Sequence, residues 1–190
     1  MDVAPHPHIG LQTVTWLLEG EVVHDDSLGH ESVLRPGGVN VMTSGGGIAH
    51  AEQTPRDNTG RLNGLQLWTA LPDQHRHMPP AFSHVQEVPA IERRSGIVRV
   101  FAGHLEGAVS PASYFSPLLG ADVHVHPRHD LVLPLNPSFE HAILVMSGDC
   151  ALDGQPLEQR MLYYLGTARA NAGFSSTDGG RILLTDNRSR

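Results

Sequence analysis

Two short pairs of side chains stand out as capable of chemistry. His6-Pro7-His8 sets two imidazoles two residues apart, and His50-Ala51-Glu52 sets an imidazole and a carboxylate at the same spacing. A strand turns every second side chain to one face, so each pair shares a face where its segment is extended. If the two strands face each other inside a barrel, three nitrogens and one oxygen meet at one point, the donor set of a metal site. A plainer reading competes, with His6 and His8 on a frayed N-terminus and His50 hydrogen-bonded locally. Three neutral imidazoles and one carboxylate carry a single negative charge. Nitrogen and oxygen donors without thiolate suit iron, manganese, cobalt, nickel or copper better than magnesium or calcium, and zinc is also compatible.

The remaining histidines read differently. His124, His126 and His129 form a separate group, but no carboxylate joins it in a recognised motif and Pro127 interrupts the strand, so a solvated surface cluster is expected. His75, His77 and His84 fall in a Pro-rich stretch and are expected to be solvated as well. Asp25 and Asp26 precede a turn and are read as capping it rather than as catalytic groups.

The elements that position these residues read as strands. The 190 residues include 20 Gly and 14 Pro against three Tyr, two Trp and five Phe, a balance that fits many short strands better than a helical bundle. Segments 13–25, 31–35, 39–43 and 48–53 are extended runs broken by Ser27-Leu28-Gly29, Pro36-Gly37-Gly38 and Ser44-Gly45-Gly46-Gly47, with no helical periodicity. Segment 71–89 holds Pro72, Pro79, Pro80 and Pro89, and is read as a connection that cannot form a continuous ladder. Strand-like runs resume at 98–102, 121–125, 131–135, 142–146, 161–165 and 181–185.

The two halves are weakly similar. Leu17-Leu18-Glu19-Gly20-Glu21 aligns with Val145-Met146-Ser147-Gly148-Asp149, as expected for a duplicated small barrel. The offsets that lead from Gly20 back to His6 and His8 lead from Gly148 back to Pro134 and Asn136, and no histidine follows His141. The second barrel is therefore expected to lack the site.

Three ordered strings carry a resemblance. His6 to Glu21, His24-Asp25-Asp26-Ser27-Leu28-Gly29 and Gly45-Gly46-Gly47-Ile48-Ala49-His50-Ala51-Glu52, with Leu65-Gln66-Leu67-Trp68, closely resemble the pirin family of the cupin superfamily. The resemblance implies an all-β fold of two tandem cupin barrels, jelly-roll-like double-stranded β-helices. It implies iron held by His6, His8, His50 and Glu52. The common cupin glutamate position holds Gln12, a poor ligand, so the carboxylate falls to Glu52. Residues 1–70 are expected to form the metal-binding cupin, 71–96 a Pro/His-rich connection and 97–190 a cupin-like domain without the site. Some pirins open the ring of quercetin, so the implied activity is a 2,3-dioxygenase acting on a small aromatic flavonol. Glu52 would then be both ligand and base for the substrate hydroxyl. The alternative is a non-catalytic, iron-dependent regulator acting through protein partners, as a transcriptional coregulator or a modulator of a metabolic enzyme.

Composition narrows the partners. The formal net charge is −7 and all 13 basic side chains are Arg, so direct nucleic-acid binding is not expected. A single cysteine, Cys150, forbids an internal disulfide, no apolar run reaches membrane-spanning length, and the first residues show no signal peptide, so a cytoplasmic location is expected. Only five residues precede His6, fewer than the family pattern leads one to expect, so the first barrel is expected to be incomplete. Uncovered strand edges predict a homodimer or low stability.

Overall fold

The computed structural model describes residues 1–188, which contain strands and turns and no helix. Ser189 and Arg190 of the polar tail lie outside the described residues. No helix long and apolar enough to cross a membrane occurs among the described residues. The chain divides into two compact units, Met1–Val88 with Pro111–Phe115, and Pro89–Ser110 with Ser116–Arg190.

The first unit holds eight strands: β1 (Asp2–His8), β2 (Leu11–Glu19), β3 (Val22–Asp26), β4 (Glu31–Leu34), β5 (Val39–Thr43), β6 (Ile48–Gln53), β7 (Asn63–Ala70) and β8 (Ala81–Val85). They form two antiparallel sheets, ordered β1-β6-β3-β4 and β7-β2-β5-β8. The expected run 13–25 is two strands, broken where Gly20 adopts φ +87 and where a Cβ would meet the Arg61 carbonyl oxygen at 2.3 Å. Only glycine fits that turn. The strands expected at 39–43 and 48–53 form with those bounds.

The second unit holds β9 (Ala90–Arg93), β10 (Gly96–Ala102), β11 (His104–Leu105), β12 (Ala108–Val109), β13 (Leu118–Val125), β14 (His129–Pro134), β15 (Phe139–Gly148), β16 (Cys150–Leu152), β17 (Gln155–Leu157), β18 (Leu162–Gly166), β19 (Asn171–Ser176) and β20 (Gly180–Arg188). Its main sheets run β14-β19-β16-β17 and β18-β15-β20-β13-β10-β9. The topology of the first unit recurs here: β14 to β20 pair among themselves as β1 to β7 do. Gly148 repeats the role of Gly20, with φ +80 and a would-be Cβ 2.1 Å from the Gly179 carbonyl oxygen.

Segment 71–96 differs from its reading as a plain connection. Ala81–Val85 pairs with β5, and Ala90–Arg93 pairs with β10. Pro79, Pro80 and Pro89 sit just before these strands rather than within them, where a missing amide hydrogen breaks no ladder bond. The compact units accordingly meet in sequence at Val88 and Pro89, not across a free linker.

The interiors contrast. The second unit packs a large apolar core that includes Leu133, Ile143, Val145, Phe174, Ile182 and Leu184. In the first unit one buried apolar cluster is Leu17, Val22 and Leu34, while His8, His24, His50, Glu52 and Asn40 are buried polar groups.

Candidate metal centre

Three adjacent strands of one sheet supply the site. β1 places His6 opposite His50 and His8 opposite Ile48, and β3 places His24 opposite Glu52. The facing sheet contributes Gln66 and Trp68 from β7 and Phe82 from β8.

The three expected histidines converge. His50 Nε2 lies 3.1 Å from His8 Nε2 and 3.2 Å from His6 Nε2. A ring nitrogen carries either one hydrogen or one lone pair, so His50 Nε2 cannot be a hydrogen-bond partner to both in full. His6 sharpens the conflict. Its Nδ1 lies 3.0 Å from the Ala4 carbonyl oxygen, which only accepts, so the hydrogen of a neutral His6 ring sits on Nδ1 and a lone pair on Nε2 faces His50. Nitrogens about 2.1 Å from a shared cation stand about 3.0 Å apart at right angles and about 3.4 Å apart in a tetrahedron. The observed spacing falls in that interval, so the triad fits a transition-metal ion in geometry and in donor type.

Electrostatics keep His50 and His8 in their ligating form. Burial, reinforced by charge on His24, His6 and His8, pushes His50 down to about 4. Burial and then the charge on His6 lower His8 as well. Neutral imidazole is the form that binds metal.

Glu52 stands differently from its three expected companions. The ligand atoms of His6, His8 and His50 all lie within 4.8 Å of one another, and Glu52 meets the same limit in a second group, with His24 and His50. Both carboxylate oxygens accept from Gln66 Nε2, at 3.1 and 3.0 Å. Gln66 is itself held, accepting at Oε1 from Trp68 Nε1 at 3.2 Å. Trp68 sits edge-on to His8, ring centroids 5.1 Å apart, with its indole 64% exposed.

His24 is the site residue that sequence reasoning did not single out. It is buried, stacks on Phe82 with ring centroids 4.1 Å apart, and places Nδ1 3.4 Å from His50 Nδ1. The available signal was the His24-x-Asp26 spacing, the same two-residue step as the other pairs. Asp26 does cap the turn as expected, accepting at Oδ1 from the Leu28 and His30 amides. Burial alone would raise its carboxyl, but hydrogen bonds from the His30 amide, the His24 ring, the Leu28 amide and the His30 ring together bring it below the usual range.

Gln12 takes no part. It pairs with Thr43 and Thr69 while Thr15 pairs with Gln66, and the odd spacing puts Gln12 on the opposite face of its sheet. His124 is exposed, and His126 and His129 bond to the Arg94 and Pro127 carbonyls. His84, expected to be solvated, is half-buried with its ring 2.7 Å from Asn40 Oδ1, and burial lowers its pKa.

The duplicated unit shows what replaces the site. Leu152 opposes Phe174 as His24 opposes Glu52, and Leu133 opposes Ala172 as His6 opposes His50. Two residues beyond Leu133, Leu135 takes the place of His8, so all five positions carry apolar residues of the second core. The offset count to Pro134 and Asn136 is one residue out of register, because three residues separate Leu135 from β15 where two separate its counterpart His8 from β2. A slip of one reverses the faces, and Pro134 and Asn136 point outward, exposed.

Comparison with known proteins agrees with this architecture. The pirin family profile matches residues 1–69. A Pseudomonas aeruginosa protein carried under a provisional quercetin 2,3-dioxygenase name is 42% identical over 182 residues, 96% of this chain and 58% of its own. Residues 1–69 belong to the pirin family, and the chain resembles pirin-like proteins along most of its length. A pirin-like protein of Caulobacter vibrioides is 38% identical over 85% of this chain and 57% of its own. Among solved structures, a quercetin 2,3-dioxygenase from Acinetobacter baumannii superposes with TM-score 0.94 at 37% identity, covering 99% of this chain and 62% of that one. The chain thus spans somewhat under two thirds of the length of these relatives. Its fold is the two-cupin arrangement expected from the sequence.

Proposed function

We propose that the chain is a metal-dependent dioxygenase acting on a flavonol such as quercetin, with His6, His8 and His50 as ligands and Glu52 as the carboxylate of the site. The observation that carries the reading is the convergence of three Nε2 atoms at 3.1 and 3.2 Å with no hydrogen-bond pattern that satisfies all three. The name of the Acinetobacter relative supports the substrate class. A divalent ion held by the triad, iron foremost with manganese, cobalt, nickel, copper or zinc as competitors, would supply Lewis acidity, and redox capacity where the metal has it, at positions the imidazoles leave open.

The chain's own groups have separate tasks in this reading. Trp68 offers an exposed aromatic ring beside His8, against which a flat substrate can lie. Glu52 receives the proton of the flavonol 3-hydroxyl, and Gln66 holds its two oxygens in place. The protein contributes positioning and one proton acceptor rather than a covalent nucleophile.

The test is quercetin consumption and carbon monoxide release by iron-loaded protein, with Glu52→Gln alongside. Turnover that falls at least tenfold in the variant, at unchanged metal content, supports the reading. Stoichiometric metal without turnover overturns the dioxygenase and leaves the regulator.

A further inference from the structure

We propose that Asp26 and His24 are positioning residues that lock His50 in the one tautomer able to bind a cation, an inference that takes its functional meaning from the metal-site reading above. The chain of hydrogen bonds begins on backbone. Asp26 accepts at Oδ1 from the Leu28 amide at 2.9 Å and the His30 amide at 3.2 Å, and its carboxylate also lies 3.0 Å from His30 Nδ1. The carboxylate is thereby pinned in the turn between β3 and β4, its side chain fully buried.

Each further link follows from the one before. Asp26 Oδ2 lies 3.2 Å from His24 Nε2. A carboxylate only accepts, so His24 Nε2 carries the hydrogen and its Nδ1 presents a lone pair. That lone pair faces His50 Nδ1 at 3.4 Å, which must therefore donate. The single hydrogen of neutral His50 is then spent on Nδ1, and the Nε2 lone pair is turned toward His6 and His8. Phe82, stacked on His24 with only 7° between the planes, holds the intermediate ring in orientation. A ligand imidazole ordinarily donates its second nitrogen directly to a carboxylate or carbonyl. Here one extra imidazole is interposed, and the set-up reaches His50 from backbone amides one strand away.

His6 obtains the same tautomer by a shorter route, through the Ala4 carbonyl. Two of the three ligands are thus fixed before any ion arrives, by unrelated partners, and the relay through His24 is the one a single substitution removes.

The test uses long-range proton–nitrogen correlation of the imidazoles in the metal-free protein, with cobalt(II) affinity measured by competition against a chromophoric chelator. In the unsubstituted protein His50 is expected as the Nδ1–H tautomer and His24 as Nε2–H. His24→Phe keeps a ring on Phe82 but removes the acceptor. In it His50 becomes a tautomer mixture, and cobalt affinity falls roughly 10–100-fold. Asp26→Asn, whose amide oxygen still accepts, gives a smaller loss. An Nε2–H His50 in the unsubstituted protein, or tautomer populations unmoved by His24→Phe, overturns the inference. Expected tautomers in a protein that refuses cobalt support the relay and overturn the metal-site reading instead.

Discussion

Acid should unfold the first unit through His50, and the size of the effect follows from its burial. An ordinary imidazole titrates near 6.5, whereas burial and the neighbouring histidines bring His50 to about 4. Between those values the unfolded chain holds a proton that the folded unit does not. A depressed folded-state value means that the contribution is complete above about 6.5 and is lost as the pH falls toward 4. At about 1.4 kcal/mol per pH unit the loss approaches about 3 kcal/mol over the interval, an upper figure that relaxation of the site will reduce. Both tryptophans, Trp16 and Trp68, lie in the first unit, so urea unfolding of metal-free protein followed by tryptophan fluorescence isolates it from the second. His50→Gln removes the titrating group and should flatten the decline between pH 7 and 4. A bound ion adds stability at neutral pH, about 2.7 kcal/mol at a hundredfold excess over its dissociation constant, and makes the acid limb steeper because protons displace it. Equal acid sensitivity in the unsubstituted protein and in His50→Gln would rule out His50 as the source of the acid limb.

Two further outcomes follow from the fold. Gly20→Ala forces a Cβ to within 2.3 Å of the Arg61 carbonyl in a left-handed turn, and should lower the tryptophan-monitored urea midpoint by more than about 1 kcal/mol in stability. Phe174→Ala, at the position that corresponds to Glu52, should cost the second unit about 3–5 kcal/mol and leave cobalt affinity unchanged, as read by hydrogen exchange and chelator competition.

The parts of the structure legible in the sequence are those set by local spacing. The two-residue step of His6-Pro7-His8 and His50-Ala51-Glu52 gave each pair a common face, and the matched glycines at 20 and 148 marked the duplication before any pairing was known. What depended on cross-strand register was not legible. His24 reaches the site because β3 places it opposite Glu52, a relation that no spacing along the chain encodes. The positions replacing the histidines in the second unit lie one residue from the counted ones, because the connection from Leu135 to β15 is one residue longer than that from His8 to β2 and strand alternation magnifies the shift into a change of face. β8 and β9 were hidden by prolines that end just where the ladders begin. The place of Glu52 belongs to the same class: strand alternation put it on the face of His50, but its grouping with His24 rather than with His6 and His8 is a property of the sheet.

The metal-site proposal puts one cation among three imidazoles from two neighbouring strands. Anomalous diffraction at the metal edge, on crystals of protein loaded with iron or nickel, tests it most directly. One ion per chain is expected, about 2.1 Å from the Nε2 atoms of His6, His8 and His50. An ion held instead by His124, His126 and His129, or no ordered ion near His50 at full loading, would contradict it.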